Sequence, residues 1–353
     1  MQAATHAGMN PSSPRAALFL LLTGCATPTD EATPPATDAP SSRIDLCDAL
    51  DVATLIDPAF PSEPFLTVEG VSFARARPHR PGGHAFAWSL VDHAHDGGRD
   101  WRYPDAAVRA VQDAGADVVG TVENAVNPGA DAGVMELYVP PDDREGFTRF
   151  VADLVERYDG DGVADMPGLL APVAAWELGN EPSCTPDDDA CADAFVALMD
   201  ASAAAARSAD PAVEIYPAAA APPLLPGSTQ EENPRFAAPW ERWLANGDRS
   251  NVDGLVVHAL VGSAVPGVSD ILGWWRDRAP DLRLTVGELG SRGVGGAPRV
   301  QPDPEEEAAW LRDAIDEAFT AGAARVGWCH TRHAPEEIPD LIAVLAEHGE
   351  PRP

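Results

Sequence analysis

The feature that most constrains the fold is a regular alternation between short apolar runs, rich in β-branched and aromatic residues, and amphipathic stretches with helical spacing. The apolar runs have the length and composition of strands. They are residues 65–74, 85–91, 116–122, 172–178, 213–216, 252–258, 282–288 and 324–329. Strands that alternate with helices predict a parallel sheet joined by crossovers, and eight of them in one domain favour an α/β fold, the closed (β/α)8 TIM barrel.

An open, doubly wound parallel sheet is the alternative fold for this alternation. It fits less well, because no glycine-rich phosphate-binding turn such as GxGxxG follows any early strand. Residues 305–321 are the clearest helix, with Ala308, Leu311 and Ile315 on one face, and they suit either arrangement.

The N-terminal part of the chain is predicted to lie outside the folded domain. Residues 1–24 have the layout of a signal peptide, since a basic residue precedes an apolar run at 16–22 that is too short for a mature membrane span. Residues 25–43 are dense in proline, threonine and acid, which predicts a flexible tether. The folded domain, residues 44–353, then has about 310 residues, a typical size for one barrel.

The end of the apolar run, Leu22-Thr23-Gly24-Cys25, resembles the lipobox of bacterial lipoproteins, in which the cysteine becomes the lipidated N-terminus after cleavage. The resemblance implies that Cys25 anchors the chain in the bacterial cell envelope and is its only attachment to a membrane. The uncharged Ala26 after it favours the outer membrane. An ordinary signal peptide with an incidental cysteine is the alternative interpretation.

The chain is strongly acidic, with 56 Asp and Glu against 24 basic residues and a net charge of -32. Such a surface repels phosphate backbones, so the composition argues against nucleic-acid binding. Nothing in the pattern ties the charge to a partner, and we attribute it to the solvation of an exported protein.

The cysteines fit an exported protein with disulfides. Apart from Cys25 there are four, an even number. Cys184 and Cys191 flank an acidic loop and are close enough in sequence to pair, so we expect this disulfide. Because four cysteines allow three connectivities, a bond between Cys47 and Cys329 stays open.

No metal site is predicted. The chain has no CxxC pattern for structural zinc. Two histidine pairs, His93 with His95 and His330 with His333, could suggest ligands, but no carboxylate or third ligand at helical spacing accompanies them.

Polar side chains at the ends of the predicted strands are the candidates for catalysis and substrate binding, because a (β/α)8 barrel carries its active site at the C-terminal ends of its strands. They are Glu123 and Asn124 on the third strand, Asn180 and Glu181 on the fourth, His258 on the sixth, Glu288 on the seventh and Trp328 on the eighth. Glu181 and Glu288 stand three strands apart in a ring of eight, so their carboxyl groups can converge across the mouth. Retaining glycosidases need two such groups about 5–5.5 Å apart.

The stretch AAWELGNEP at 174–182, followed by LTVGELG at 284–290, resembles glycoside hydrolase clan A. In that clan the acid/base glutamate follows an asparagine at the end of strand four, and the nucleophile ends strand seven. Residues 100–122, 140–160 and 305–333 look like the matching segments of the clan's β-xylosidase-like members, in the right order.

The resemblance implies a role for each strand-end residue. Glu181 would be the general acid/base and Glu288 the nucleophile, with Asn180 bound to the sugar 2-hydroxyl. His258 would lie near the nucleophile, and Trp328 would form the apolar floor of the sugar subsite. The implied activity is hydrolysis of O-glycosidic bonds in oligo- or polysaccharides with retention, by a monomer that needs no cofactor.

The sequence also departs from the clan's pattern. Members usually carry an arginine on strand two that supports the nucleophile, and residues 85–91 contain none. Arg75, Arg77 or a residue of the last loop could take its place, or the site could be weakened. A catalytically silent, carbohydrate-binding envelope lipoprotein is therefore the alternative function, and a purely structural lipoprotein is a third.

A further alternative concerns Glu181 itself. Pro182 suits the first position of a helix, so Glu181 could be an acidic residue at a helix N-terminus. This interpretation leaves the match at Glu288 unexplained.

Overall fold

The computed structural model describes residues 44–47, 73–80, 83–92, 97–123, 143–184, 188–220, 236–261, 267–291, 304–329 and 339–348. The chain divides into residues 1–39 and residues 40–353, and every described element belongs to the second unit. The predicted signal peptide, the tether with Cys25, Asn124 and both histidine pairs lie outside the described residues.

Eight parallel strands stand side by side around a nearly closed barrel, which confirms the predicted (β/α)8 architecture. The strands are β1 Ile44–Leu46, β2 Arg75–Ala76, β3 Asp117–Glu123, β4 Ala175–Glu177, β5 Glu214–Tyr216, β6 Gly254–Val261, β7 Arg283–Ser291 and β8 Val326–Trp328. The first and last strands pair directly, with Leu46 opposite Trp328. Between β5 and β6 the ring is joined by a bridge from Ala220 to Val257 and by the bond from the Asp253 N–H to the Ile215 carbonyl, 2.8 Å.

Helices connect the strands and cover the outside of the barrel. The described helices are α1 Trp88–Val91, α2 Arg102–Asp113, α3 Arg144–Arg157, α4 Asp189–Ala209, α5 Ala237–Asn246, α6 Val268–Arg278, α7 Pro304–Thr320 and α8 Pro339–His348. Asp143 and Asp188 cap α3 and α4, where each side chain accepts a backbone N–H of the first turn. None of the helices in the described ranges is long and apolar enough to cross a membrane.

The first two strands differ from those predicted. The first is Ile44–Leu46, and of residues 65–74 only 73 and 74 are described, neither within a strand. The second position is filled by two pieces, since Arg75–Ala76 pairs with the start of β3 and Phe86–Ala87 with its end. A hairpin of His79–Arg80 and Gly83–His84 separates them.

The prediction of one strand over 85–91 was therefore wrong, because helix α1 follows directly after Phe86–Ala87. Phe86, Trp88 and Val91 are all buried. A short run that is apolar throughout does not distinguish a buried strand from a buried helix, since both periods fit it.

Side chains alternate between the two faces of the strands. On β4, Trp176 packs in the apolar layer beneath the helices, while Ala175 and Glu177 face the barrel interior. Gly120 on β3 makes room for the Trp176 ring, because a Cβ there would lie 2.1 Å from it. The outer layer is apolar, whereas the interior carries charge.

Two ion pairs fill the N-terminal end of the barrel interior. Arg325 contacts Asp45, and Arg75 Nη1 lies 2.7 Å from Glu214 Oε2. Burial raises the pKa of Asp45 even though Arg325 opposes the shift. Burial would also raise the pKa of Glu214, but Arg75 and then Arg283 outweigh it and lower that pKa to about 2. These carboxylates are thus compensated inside the barrel.

One disulfide joins the ends of two strands, and the other joins the segment after β4 to helix α4. Cys184 is bonded to Cys191, which confirms that predicted pair. Cys47 is bonded to Cys329, which selects one of the three connectivities. These two residues directly follow β1 and β8, and the Cys47 N–H donates to the Trp328 carbonyl at 3.0 Å. This disulfide therefore ties the first strand to the last.

The two disulfides should differ in their contribution to stability. The bond between Cys47 and Cys329 spans 282 residues, and that between Cys184 and Cys191 spans 7. Because a cross-link restricts the unfolded chain more when its loop is longer, serine at Cys47 and Cys329 should lower the free energy of unfolding by about 3–5 kcal/mol. The same change at Cys184 and Cys191 should cost about half as much. Urea denaturation followed by tryptophan fluorescence measures both, and equal costs would contradict this account.

Candidate active site

Glu181 points into the mouth of the barrel because the chain beyond β4 keeps pairing with the chain beyond β5. The Ala219 N–H donates to the Gly179 carbonyl at 2.9 Å, and the Glu181 N–H donates to the Ala219 carbonyl at 2.8 Å. Glu181 has a left-handed backbone, φ 43°, which costs about 1–3 kcal/mol in a residue other than glycine. These two hydrogen bonds hold it there, and only 3% of the residue is exposed.

Glu181 is not a helix cap. Helix α4 begins at Asp189, and its capping side chain is that of Asp188, which accepts the Cys191 N–H at 3.0 Å. The alternative in which Glu181 merely starts a helix is therefore wrong.

The structure brings three of the predicted site residues together. His258 Nδ1 lies 2.8 Å from Glu181 Oε1, and His258 Nε2 lies 3.5 Å from Glu288 Oε1. One oxygen of each glutamate and one ring nitrogen of His258 all lie within 4.8 Å of one another. In the parallel pairing of β6 with β7, His258 stands opposite Glu288, which aims both side chains at the same space.

The environment of His258 favours its charged form. The residue is completely buried, and burial alone would lower its pKa. The carboxylates of Glu288 and Glu181 outweigh burial and raise the pKa of His258 above its ordinary value near 6.5, although Arg77 opposes them. His258 therefore contacts both glutamates, and its charged form is attracted to both carboxylates.

Arg77 supplies the arginine that the sequence seemed to lack. It directly follows Arg75–Ala76, the first piece of the second strand, and only 3% of it is exposed. Its Nη2 donates to Glu288 Oε1. The expectation that strand two carries no supporting arginine rested on assigning that strand to 85–91, and it is wrong for the same reason.

Two residues that extend the site through Arg77 were not predicted, namely Glu177 and Thr121. Glu177 Oε2 accepts the Thr121 hydroxyl at 2.7 Å and Arg77 Nη1 at 3.4 Å. A sequence signal existed, because Glu177 is an acidic residue inside an otherwise apolar run that is predicted to be a buried strand.

The remaining predicted residues lie outside the cluster of Glu181, His258 and Glu288. Asn180 is partly buried, and its Oδ1 is buried with no hydrogen-bond partner among the described residues. Glu123 ends β3 opposite Ala87.

Trp328 is 3% exposed and packs in the outer apolar layer, where its ring stacks on Phe73 with centroids 6.4 Å apart. Its role as the floor of a sugar subsite stays a prediction.

Two clusters in the described ranges bring three possible metal ligands within 4.8 Å of one another. One is Glu181, His258 and Glu288, where the charge of Arg77 beside Glu288 opposes a divalent cation. The other consists of Asp159, Asp161 and Asp165. These accept backbone N–H groups of their own loop, which explains their proximity without an ion.

The fold is that of several solved glycoside hydrolases. A glucosidase from Croceicoccus marinus matches with a TM-score of 0.57 and 16% identity, over 88% of this chain and 68% of that one. A family 39 glycoside hydrolase from Bacteroides cellulosilyticus gives 0.53 and 16%, over 87% and 63%. A family 5 glycoside hydrolase from Prevotella bryantii gives 0.55 and 12%, over 86% and 95%.

At these identities the likeness concerns the fold, and at that level it confirms the predicted resemblance to glycoside hydrolase barrels. The chain spans 63% of the length of the family 39 enzyme. No family model and no curated protein sequence matches the chain.

Replacing His258 should have a pH-dependent effect on stability. A histidine whose pKa is raised on folding contributes stability that is fully present below its unfolded pKa and is lost as the pH rises through its folded pKa. Since the pKa of His258 is raised, His258→Gln should lower the free energy of unfolding more at about pH 6 than at about pH 9. Urea unfolding of both proteins across this range measures the difference, and a cost that grows with pH would refute the assignment.

Proposed function

We propose that the protein is a retaining glycoside hydrolase that cleaves O-glycosidic bonds of oligo- or polysaccharides by double displacement. The observation that carries the proposal is the approach of one oxygen of Glu181 to one oxygen of Glu288 within 4.8 Å. Retaining enzymes hold their carboxyl groups about 5–5.5 Å apart, whereas inverting enzymes need about 6.5–9.5 Å for an intervening water. The neighbours of the same fold, which include a glucosidase, xylanases and a mannanase, support a carbohydrate substrate.

In the first step, Glu288 attacks the anomeric carbon. Its oxygen forms an ester bond to that carbon as the bond to the glycosidic oxygen breaks, and Glu181 gives its proton to the departing oxygen. Arg77, which donates to Glu288 Oε1, orients the nucleophile and favours its ionised form.

In the second step, a water attacks the anomeric carbon while Glu181 takes a proton from it. The ester bond breaks, the sugar leaves with its original configuration, and Glu288 returns as a carboxylate. His258 Nδ1, 2.8 Å from Glu181 Oε1, shares a hydrogen bond that adjusts to each protonation state of Glu181.

Substrate contacts complete the proposal. The unpartnered Oδ1 of Asn180, next to Glu181 in the chain, suits the sugar 2-hydroxyl, a contact that strengthens in the transition state. Glu123 and Asn124 remain candidates for wider sugar contacts, whereas Trp328, whose ring packs against Phe73, is assigned no sugar contact in this proposal. The alternative function, a catalytically silent carbohydrate-binding protein, rests on the apparent lack of an arginine on strand two. The contact of Arg77 with Glu288 argues against this alternative.

The two glutamates should have separable kinetic roles. Glu288→Ala should lower kcat/KM on aryl glycosides by about 10⁴-fold or more, because no covalent intermediate can form. Sodium azide should restore turnover and give a glycosyl azide of inverted configuration. Glu181→Gln should slow substrates with poor leaving groups by about 10²–10⁴-fold and activated dinitrophenyl glycosides much less, because only the former need a proton donor.

Glu241→Gln is the matched control, since Glu241 is an exposed glutamate on α5 and its loss should leave kcat/KM unchanged. Hydrolysis is measured on a panel of aryl glycosides, and product stereochemistry by proton NMR. A wild type that binds oligosaccharides but hydrolyses none of the panel would instead support the silent binder, and an inverted product would exclude double displacement.

We also propose that the chain is exported and lipid-anchored through Cys25 in the bacterial outer membrane. The two disulfides support export, because such bonds persist in oxidising compartments.

Metabolic labelling tests the anchor. The full-length protein, expressed in a Gram-negative host fed an alkyne analogue of palmitate, should carry the label and sediment with outer membranes. Cys25→Ser should lose both properties, because the acylated side chain is gone. Export of an unlabelled, soluble wild type would establish the ordinary signal peptide instead.

A further inference from the structure

Five ionisable side chains form a continuous chain inside the upper barrel. In order of contact they are Glu177, Arg77, Glu288, His258 and Glu181. All but Glu288 are at most 3% exposed. The proposed mechanism gives a task to each of them except Glu177.

Glu177 lies deeper than the reacting groups but beside them. A Cβ added to Gly287, the residue before Glu288, would stand 3.7 Å from Glu177 Oε1 and 3.6 Å from the ring of His258. Thr121 faces Glu177 across the β3–β4 pairing and donates its hydroxyl to Oε2. A buried carboxylate is expensive, and an apolar residue of similar size would often be no less stable. Its presence here calls for a role other than stability.

We propose that Glu177 is a positioning residue for the hydrolysis reaction. Its carboxylate and that of Glu288 both contact Arg77, and Glu177 thereby keeps the nucleophile Glu288 more basic than Arg77 alone would leave it. The inference rests on the proposed function. Arg77 Nη1 lies 3.4 Å from Glu177 Oε2, while its Nη2 donates to Glu288 Oε1, so one guanidinium serves two carboxylates.

The charge of Glu288 changes during the reaction, and that of Glu177 does not. Before attack, Arg77 alone would stabilise the Glu288 carboxylate so strongly that Glu288 would be a poor nucleophile. The negative charge of Glu177 weakens this stabilisation. When Glu288 is esterified it loses its negative charge, and Glu177 still stands beside Arg77 as a counter-ion. The positive charge of the Arg77 guanidinium therefore keeps a negative partner through both steps. This lowers the free energy of the covalent intermediate in a buried site.

The test changes the charge of Glu177 and little else. In Glu177→Gln, the amide oxygen can still accept from Thr121 and Arg77, and only the negative charge is lost. Glu214→Gln is the matched control, because Glu214 is also a carboxylate of the barrel interior paired with arginine, at the opposite end. The readout is the carboxyl ¹³C titration of Glu288 in the full chain, with the resonance assigned by its loss in Glu288→Gln.

Removing a negative charge near Glu288 favours its ionised form. The titration midpoint of the Glu288 resonance should therefore move to lower pH in Glu177→Gln, by about one pH unit. The other charged groups described around Glu288 include Arg77, His258 and Glu181, with the Asp45–Arg325 pair deeper in the barrel, and the substitution alters none of them. Glu214→Gln should leave the midpoint unchanged.

Kinetics provide the second readout. The acidic limb of the kcat/KM profile should move to lower pH in Glu177→Gln, and glycosylation should slow by about tenfold, because a less basic carboxylate is a weaker nucleophile. KM should change less than kcat, since Glu177 lies beneath the sugar site. Glu177→Asp keeps the charge but draws it back by a methylene, so it should shift the midpoint in the same direction by less. It replaces the Gln variant if that variant does not fold.

The titration requires no turnover, so it separates the two proposals. A wild type without hydrolytic activity would overturn the proposed function, while the Glu288 midpoint would still report whether Glu177 acts on it through Arg77. An unchanged midpoint in folded Glu177 variants, or an equal shift in Glu214→Gln, would overturn the role of Glu177 and leave the function intact.

Discussion

Compensation of buried charge is the constraint on which the rest of this structure depends. The barrel interior holds ion pairs at its N-terminal end and a chain of acid, base and guanidinium groups toward its mouth. A carboxylate in such surroundings is tolerated only where a cation or several donors face it. Arg77 meets that condition for Glu288 and Glu177 together, and the nearly closed ring of strands holds these groups in register.

The apolar layer outside the barrel makes this interior possible. Nearly all large aromatic side chains of the described ranges pack between strands and helices, where Trp240, for example, contacts Trp243 and Trp275 edge to face. Burial of that layer supplies most of the favourable free energy of folding, at about 25 cal/mol per Å² of apolar surface. The interior can therefore contain buried polar groups and a strained backbone at Glu181. In a smaller fold, with less apolar burial, these features would destabilise the protein too much.

Several site residues were predictable because they follow from local patterns. The alternation of strands and helices gives the barrel, and a barrel gathers its strand ends at one face, so Glu181, His258 and Glu288 had to converge. The pair Cys184 and Cys191 was predictable from sequence proximity alone. By contrast, the second strand is interrupted by a hairpin, and its two-residue pieces are too short for any periodicity to appear. Arg77 was therefore one of three candidates and could not be assigned.

The sequence by itself determined the order of strands and helices from β3 onward, the face on which polar residues collect and the two glutamates that approach each other. These depend on periods of two and 3.6 residues and on the chirality of parallel crossovers, which are local properties. Only the tertiary structure decided that Arg77 supports Glu288, that Glu177 lies beneath it, that Trp328 turns toward Phe73 and that Cys47 joins Cys329. Each of these joins residues far apart in the chain, and their contacts depend on strand register and ring closure, which no local pattern encodes.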